Sequence, residues 1–176
     1  TMPSALKQAT LPDLPLWLAA LQLDLWPALG LTLVFVGAIA LAVGLPIARL
    51  SGSTAAIATL GLLIIVHSVL IGAKDFTRGS QSFFGVPRAT TLSIALALAV
   101  AALVVARLFR DSVAGLQLRA AREDEPAARS IGVDVERRQL AAWVVSALLV
   151  GASGVLLGHF LGTFSPKKFY FVDTFQ

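Results

Sequence analysis

The chain has 176 residues, of which 57% are hydrophobic and only 14% charged, and its mean hydropathy is +0.83. A soluble domain carries about 25% charged residues, so there is too little polar surface here for a water-facing globule. High hydrophobicity with a net charge of only +4 also excludes a disordered chain. The chain reads as an integral membrane protein. It contains no cysteine, so disulfides, thiolate metal sites and cysteine nucleophiles are excluded.

Residues 11–27, LPDLPLWLAALQLDLWP, are apolar but interrupted by Pro12, Pro15 and Pro27 and by Asp13 and Asp24. With Trp17 and Trp26 they suit an interfacial segment better than a membrane span, since Trp favours the headgroup level. No basic n-region or small-residue cleavage site marks a signal peptide. Crossing about 30 Å of hydrocarbon takes about 20 apolar residues, and four stretches meet or approach that length. They are Ala28 to Ala48, Thr54 to Gly72, Thr90 to Ala106 and Leu140 to Thr163, each expected to be helical because backbone amides find no water in lipid. The expected fold is all-α: a polytopic transmembrane bundle of about four spans in a single partial domain, residues 1–176, with short interfacial and cytoplasmic helices. The chain starts at Thr1 rather than at a methionine and ends at Gln176 after an apolar run, so it reads as a piece of a longer protein.

Charge is concentrated between the third and fourth spans. Residues 107–139 hold seven Arg and six acids, 13 of the chain's 24 charged residues. Seven Arg in one short loop assign it to the cytoplasm. Alternation then places Arg49 inside, and Lys74, Arg78, Arg88, Lys167 and Lys168 outside; with Lys7 the count is eight basic residues inside against six outside. Arg49 to Ser53 reads as a tight turn, and Ala73 to Ala89 as a medium loop.

Small residues recur on two spans. Gly30, Gly37 and Gly44 are seven apart, and Gly154, Gly158 and Gly162 four apart, with Ala147 and Gly151 just before them. Such spacing lets helix backbones approach closely, as in a bundle; the alternative is the general abundance of Gly in transmembrane helices.

Within the loop, Leu116, Leu118, Ala121, Arg119 and Arg122 predict a short helix continuing from the third span. The acids Glu123, Asp124 and Glu125 precede Pro126, a residue tolerated in a helix's first turn, where acids also complement the dipole. A second short helix is expected over Pro126 to Ser130, ending at Gly132 as a C′ glycine, with Asp134 as N-cap of the fourth span. Its small residues Ala127, Ala128 and Ile131, flanked by charge, suit insertion into a groove of another protein; a solvated loop is the alternative.

The run Ala121-Arg122-Glu123-Asp124-Glu125-Pro126-Ala127-Ala128-Arg129-Ser130-Ile131-Gly132 resembles the cytoplasmic loop of LivM-type permeases, the membrane subunits of ABC importers for branched-chain amino acids, urea and related small polar solutes. Pro46-Ile47-Ala48-Arg49-Leu50-Ser51-Gly52 followed by Ala56-Ile57-Ala58-Thr59-Leu60-Gly61 is similar to the family's R-L-x-G…A-I-A-T-L-G stretch. Gly162-Thr163-Phe164-Ser165-Pro166 with Phe169 is similar to its G-x-x-S/T-P-x-x-F. The ordered matches cover about Gly44 to Phe175. Leu62, Leu63 and Ile64 depart from the family's frequent Phe-Gly-Glu, and Thr77-Arg78-Gly79-Ser80…Gly85-Val86-Pro87 only partly follows its T-G-G-x-x-G.

The resemblance implies a coupling helix seated in a cleft of a separate cytoplasmic ATPase, with Arg122, Glu123, Asp124, Glu125, Ala127, Ala128 and Gly132 forming the contact. It also implies a second permease subunit, identical or different, a periplasmic or lipid-anchored solute-binding protein, surrounding membrane lipid, and the inner membrane of a prokaryote. No bond chemistry is expected, nor any nucleic-acid partner. The chain has no G-x-x-x-x-G-K-[ST] phosphate loop, so ATP belongs to the partner and no cofactor is expected in this chain.

Candidate pathway residues are Thr59, Gly61, His67 and Ser68. An ionisable group at membrane depth is a functional candidate by default, so His67 is either that or a neutral, hydrogen-bonded histidine near the outer interface. Thr59 and Gly61 could equally pack helices. His159 beside Phe160 reads as a satisfied histidine, and two distant histidines make no metal site. Two rival classes are an ion-coupled secondary transporter and a purely structural membrane subunit. The first tends to use membrane carboxylates, and the four spans contain no Asp or Glu.

Overall fold

The structure, a computed structural model, describes residues 25–50, 52–72 and 90–162, and among them the regular structure is entirely helical. In chain order the helices are α1 (Leu25–Ile47), α2 (Gly52–Gly72), α3 (Leu92–Asp111), α4 (Val113–Glu123), α5 (Glu125–Ser130) and α6 (Val135–Leu161). Three of them, α1, α3 and α6, are long and apolar enough to cross a membrane; the apolar stretch Thr54–Val69 within α2 is shorter. The expected spans are therefore present as an all-α arrangement, with ends displaced by up to five residues in either direction. Helix α1 already starts at Leu25, taking in Trp26 and Pro27 from the expected interfacial segment. The remainder of that segment, the loop 73–89 and the motif residues from Thr163 onward lie outside the described residues.

Local chemistry explains the ends. Pro46 lies in the last turn of α1. Beyond it the chain tightens through i→i+3 hydrogen bonds, from Arg49 N to the Pro46 carbonyl at 3.3 Å and from Leu50 N to the Ile47 carbonyl at 2.9 Å. Thr91 caps α3, its hydroxyl accepting from Ile94 N at 3.4 Å. Gly162, with φ +65°, ends α6 through a hydrogen bond from its N–H to the Gly158 carbonyl.

The chain divides into two compact units. Among the described residues, the first comprises the start of α1, α2 from Ile57 onward, Thr90, and α6 from Val155 onward. Here the Thr90 hydroxyl donates to the Leu156 carbonyl at 3.0 Å, tying the approach to α3 to the backbone of α6. The second comprises the rest of α1, the start of α2, and everything from Thr91 to Gly154.

In that second unit the glycine spacing of α1 is used selectively. A Cβ on Gly44 would stand 2.6 Å from Trp143 Cδ1 and 2.8 Å from Leu140 Cδ1, and one on Gly37 an ordinary 3.5 Å from Leu148. From the other helix, a Cβ on Gly151 would meet Val36 at 3.2 Å. Gly30 and Gly154 meet nothing within 4 Å among the described residues. Gly151 packs and Gly162 terminates the helix. We expect Gly44→Ala to cost about 1–3 kcal/mol, because the indole ring cannot step aside as a side-chain tip would. Thermal unfolding in detergent should show a loss of several degrees for Gly44→Ala and none for Gly30→Ala. Equal melting temperatures for the two variants would refute this contact.

Large apolar side chains on the spans are exposed throughout, including Val34, Phe35, Leu96 and Leu103, and α3 has no buried residue. In water that surface would be untenable; lipid or neighbouring spans must cover it.

Candidate functional site

Among the described residues, the polar segment 107–139 is held by a succession of helix caps. Four buried hydrophobic residues are found among the described residues, and two of them, Ala128 and Val135, lie in this segment. Gly115 is buried as well, so α4, α5 and α6 each contribute one buried residue.

The segment begins with a corner. A helix continuing from the third span is expected from sequence, but the structure breaks it at Ser112, which has extended backbone angles (φ −72°, ψ 165°). The Ser112 hydroxyl donates to the Phe109 carbonyl at 2.6 Å and accepts from Gly115 N at 3.3 Å, closing one helix and opening the next. Arg119 returns from α4 to donate to the Arg110 carbonyl at 3.2 Å, placing a cation at the carbonyl end of α3. Gly115 has a steric role that periodicity did not reveal. A Cβ there would collide with the backbone carbonyls of Phe109 and Arg110.

Helix α5 is locked at both ends. Asp124 is its N-cap, accepting from Ala127 N at 3.0 Å, and Pro126 sits in the first turn. At the C-terminus Val133 N donates to the Ala128 carbonyl at 3.1 Å and Gly132 N to the Arg129 carbonyl at 3.0 Å, with Gly132 at φ +87°. That pair of bonds is a Schellman motif, in which the left-handed position favours glycine. The Ser130 hydroxyl donates to the Ala127 carbonyl at 2.7 Å. Arg129 pairs with Glu125 at 2.9 Å and reaches Glu136 at 3.7 Å. Asp134 then caps α6, accepting from Arg137 N at 3.1 Å while its other oxygen pairs with the Arg137 guanidinium at 2.9 Å. The helix, its glycine stop and the Asp134 cap all lie where the sequence predicts them.

The small face does not survive as one surface. Ala128 is 3% exposed and points inward, whereas Ile131 is 78% exposed and Ala127 is exposed beside it. Residues 127 and 131 are four apart and share a face, while 128 is turned by about 100°. Arg122, Glu123 and Asp124 are exposed around the outward face, and Glu125 is half-buried under Arg129.

The pathway candidates lie on α2. Thr59, Gly61 and His67 are half-buried and Ser68 exposed. Thr59 and His67 each have interaction partners, and a Cβ on Gly61 would meet nothing within 4 Å. His159 Nδ1 lies 3.0 Å from the Val155 carbonyl of its own helix, which agrees with a satisfied histidine. Among the described residues no group of His, Cys, Asp and Glu could hold a metal ion.

Membrane-length apolar helices joined by a folded, capped polar segment define a polytopic helical membrane protein. Residues 8–176 match the family described as branched-chain amino acid transport system / permease component, and the chain belongs to that family. It is 28% identical over 187 aligned residues to the high-affinity branched-chain amino acid transport system permease protein LivM of Escherichia coli (strain K12). It is 29% identical over 187 to LivM of Salmonella typhimurium (strain LT2). Each alignment covers 86% of this chain but 44% of the relative, so the chain spans less than half the length of the relatives it matches. No solved structure matches it.

Proposed function

We propose that this chain forms part of the permease subunit of an ABC importer that moves branched-chain amino acids or a similar small polar solute inward. A separate ATPase docks on segment 107–139, which faces the cytoplasm of a prokaryote. A solute-binding protein delivers the solute, and a second permease subunit completes the pathway. The observation that carries this reading is α5 itself: a six-residue helix capped at both ends, presenting Ala127 and Ile131 outward within a charged rim. A solvated loop needs no such rigidity, whereas an element that transmits movement between two proteins does. When the ATPase moves, a helix held by Asp124, Gly132 and Asp134 moves the start of α6 with it.

The test replaces Ile131 by arginine in the full-length protein. The side chain is exposed, so the segment should remain folded and the protein should reach the membrane at normal levels. Putting a charge against an apolar groove should weaken ATPase co-purification roughly tenfold or more and reduce transport in parallel. Normal ATPase recovery with Ile131→Arg and also with Ala127→Arg would sink the docking assignment.

A further inference from the structure

A cleft of about 310 Å³ opens between the end of α1 and the start of α6, lined by Leu45, Ala48, Arg49, Asp134, Glu136, Arg137 and Leu140. That is room for roughly ten water-sized groups, the scale of a lipid headgroup. Its lining is ordered by depth. Leu45 and Leu140 lie within α1 and α6, while Arg49 follows α1 and Asp134, Glu136 and Arg137 stand at the cap and in the first turn of α6, so charge gathers at the helix ends and apolar side chains lie about a turn further in.

The charges in the cleft are not equally available. Arg137 is held by Asp134 at 2.9 Å, and Asp134 also caps the helix. Glu136 has only a 3.7 Å approach from Arg129, which is itself held at 2.9 Å by Glu125. The Arg49 guanidinium makes no ion pair or hydrogen bond among the described residues. One cation is thus unpaired, and one carboxylate is held only by a long ion pair, at the mouth of a cleft with an apolar inner wall.

We infer that this cleft binds a phospholipid with a zwitterionic, amine-bearing headgroup: its phosphate meets Arg49, its ammonium meets Glu136, and its acyl chains run along Leu45 and Leu140. A purely anionic headgroup would satisfy Arg49 but bring no cation to Glu136, whose one ion pair is the 3.7 Å approach of Arg129. A free phosphorylated headgroup, lacking acyl chains, would gain nothing from the leucines. The site does not depend on ATPase docking, and it would fix a lipid against the same turn that begins α6.

Native mass spectrometry of the full-length protein with equimolar dioleoyl-phosphatidylethanolamine and dioleoyl-phosphatidylglycerol tests it. The wild type should retain the ethanolamine lipid about fivefold over the glycerol lipid. Arg49→Gln should bring that ratio near one, Arg49→Lys should keep most of it, and Glu136→Gln should turn it toward phosphatidylglycerol. Equal retention by the wild type, or a preference unchanged in Arg49→Gln, would overturn the inference. So would displacement of the lipid by free phosphoethanolamine at matched concentration, which would make the ligand a soluble headgroup. A photo-crosslinker at position 45 should join to lipid; crosslinking to the ATPase subunit instead would give the cleft to a protein and overturn the lipid assignment.

Discussion

Replacing Ala128 by arginine should unfold the α4–α5 segment from within. At 3% exposure the Ala128 side chain has no path to water, so a guanidinium there would be buried without a partner, at a cost of about 3–5 kcal/mol. The Ala128 carbonyl accepts the Val133 N–H, so displacing this residue also breaks the turn that orients Asp134 and α6. Hydrogen exchange at Ile131, Gly132 and Val133 should accelerate about a hundredfold or more, while exchange within α1 stays unchanged. The proposed ATPase association should be lost too, but secondarily. This variant therefore reports the integrity of the segment, whereas Ile131→Arg reports its outer surface. Native exchange rates in Ala128→Arg would show that this position is not a packing site.

The second large effect is expected at Gly115. A Cβ there would stand 2.5 Å from the Phe109 carbonyl oxygen and closer still to that of Arg110, and neither can yield without moving the backbone. The backbone at this glycine is not left-handed; what the position requires is space. Gly115→Ala should therefore open the α3–α4 corner at a cost of about 1–3 kcal/mol or more, parting Ser112 from Gly115 N and Arg119 from the Arg110 carbonyl. Trypsin cleavage after Arg110 and Arg119 in membranes should speed up about tenfold, since a barrier of roughly 1.4 kcal/mol corresponds to that factor. Ser112→Ala removes only the cap, worth about 1 kcal/mol, and should fall between Gly115→Ala and the wild type. Cleavage of Gly115→Ala at the wild-type rate would refute the steric account.

Much of this molecule was legible in one dimension, because lipid makes local rules strict. The spans follow from runs of apolar residues, since a backbone in hydrocarbon must satisfy itself as a helix. The ends of α5 and the start of α6 follow from Asp124, Gly132 and Asp134, because a cap is a bond between residues three to five apart. The lipid-like composition of the opening count marks the bilayer, and the 13 charges gathered in residues 107–139 mark a long segment built for water.

What was not legible depends on which side a residue turns and what lies opposite. Ala127, Ala128 and Ile131 are alike in composition, yet a six-residue helix is too short for periodicity to separate an inward Ala128 from an outward Ile131; burial decides that. Gly44 and Gly30 belong to one seven-residue repeat, yet only Gly44 meets Trp143. The break at Ser112 rests on a serine that serves two helices at once, and Gly115 on two carbonyls of the helix before it. Sequence determined that this chain is a helical membrane protein with a capped polar segment, because hydration and hydrogen bonding act locally. Tertiary structure alone decided which small residues are core, which are surface and where charge is left unpaired, because those depend on neighbours far apart in the chain.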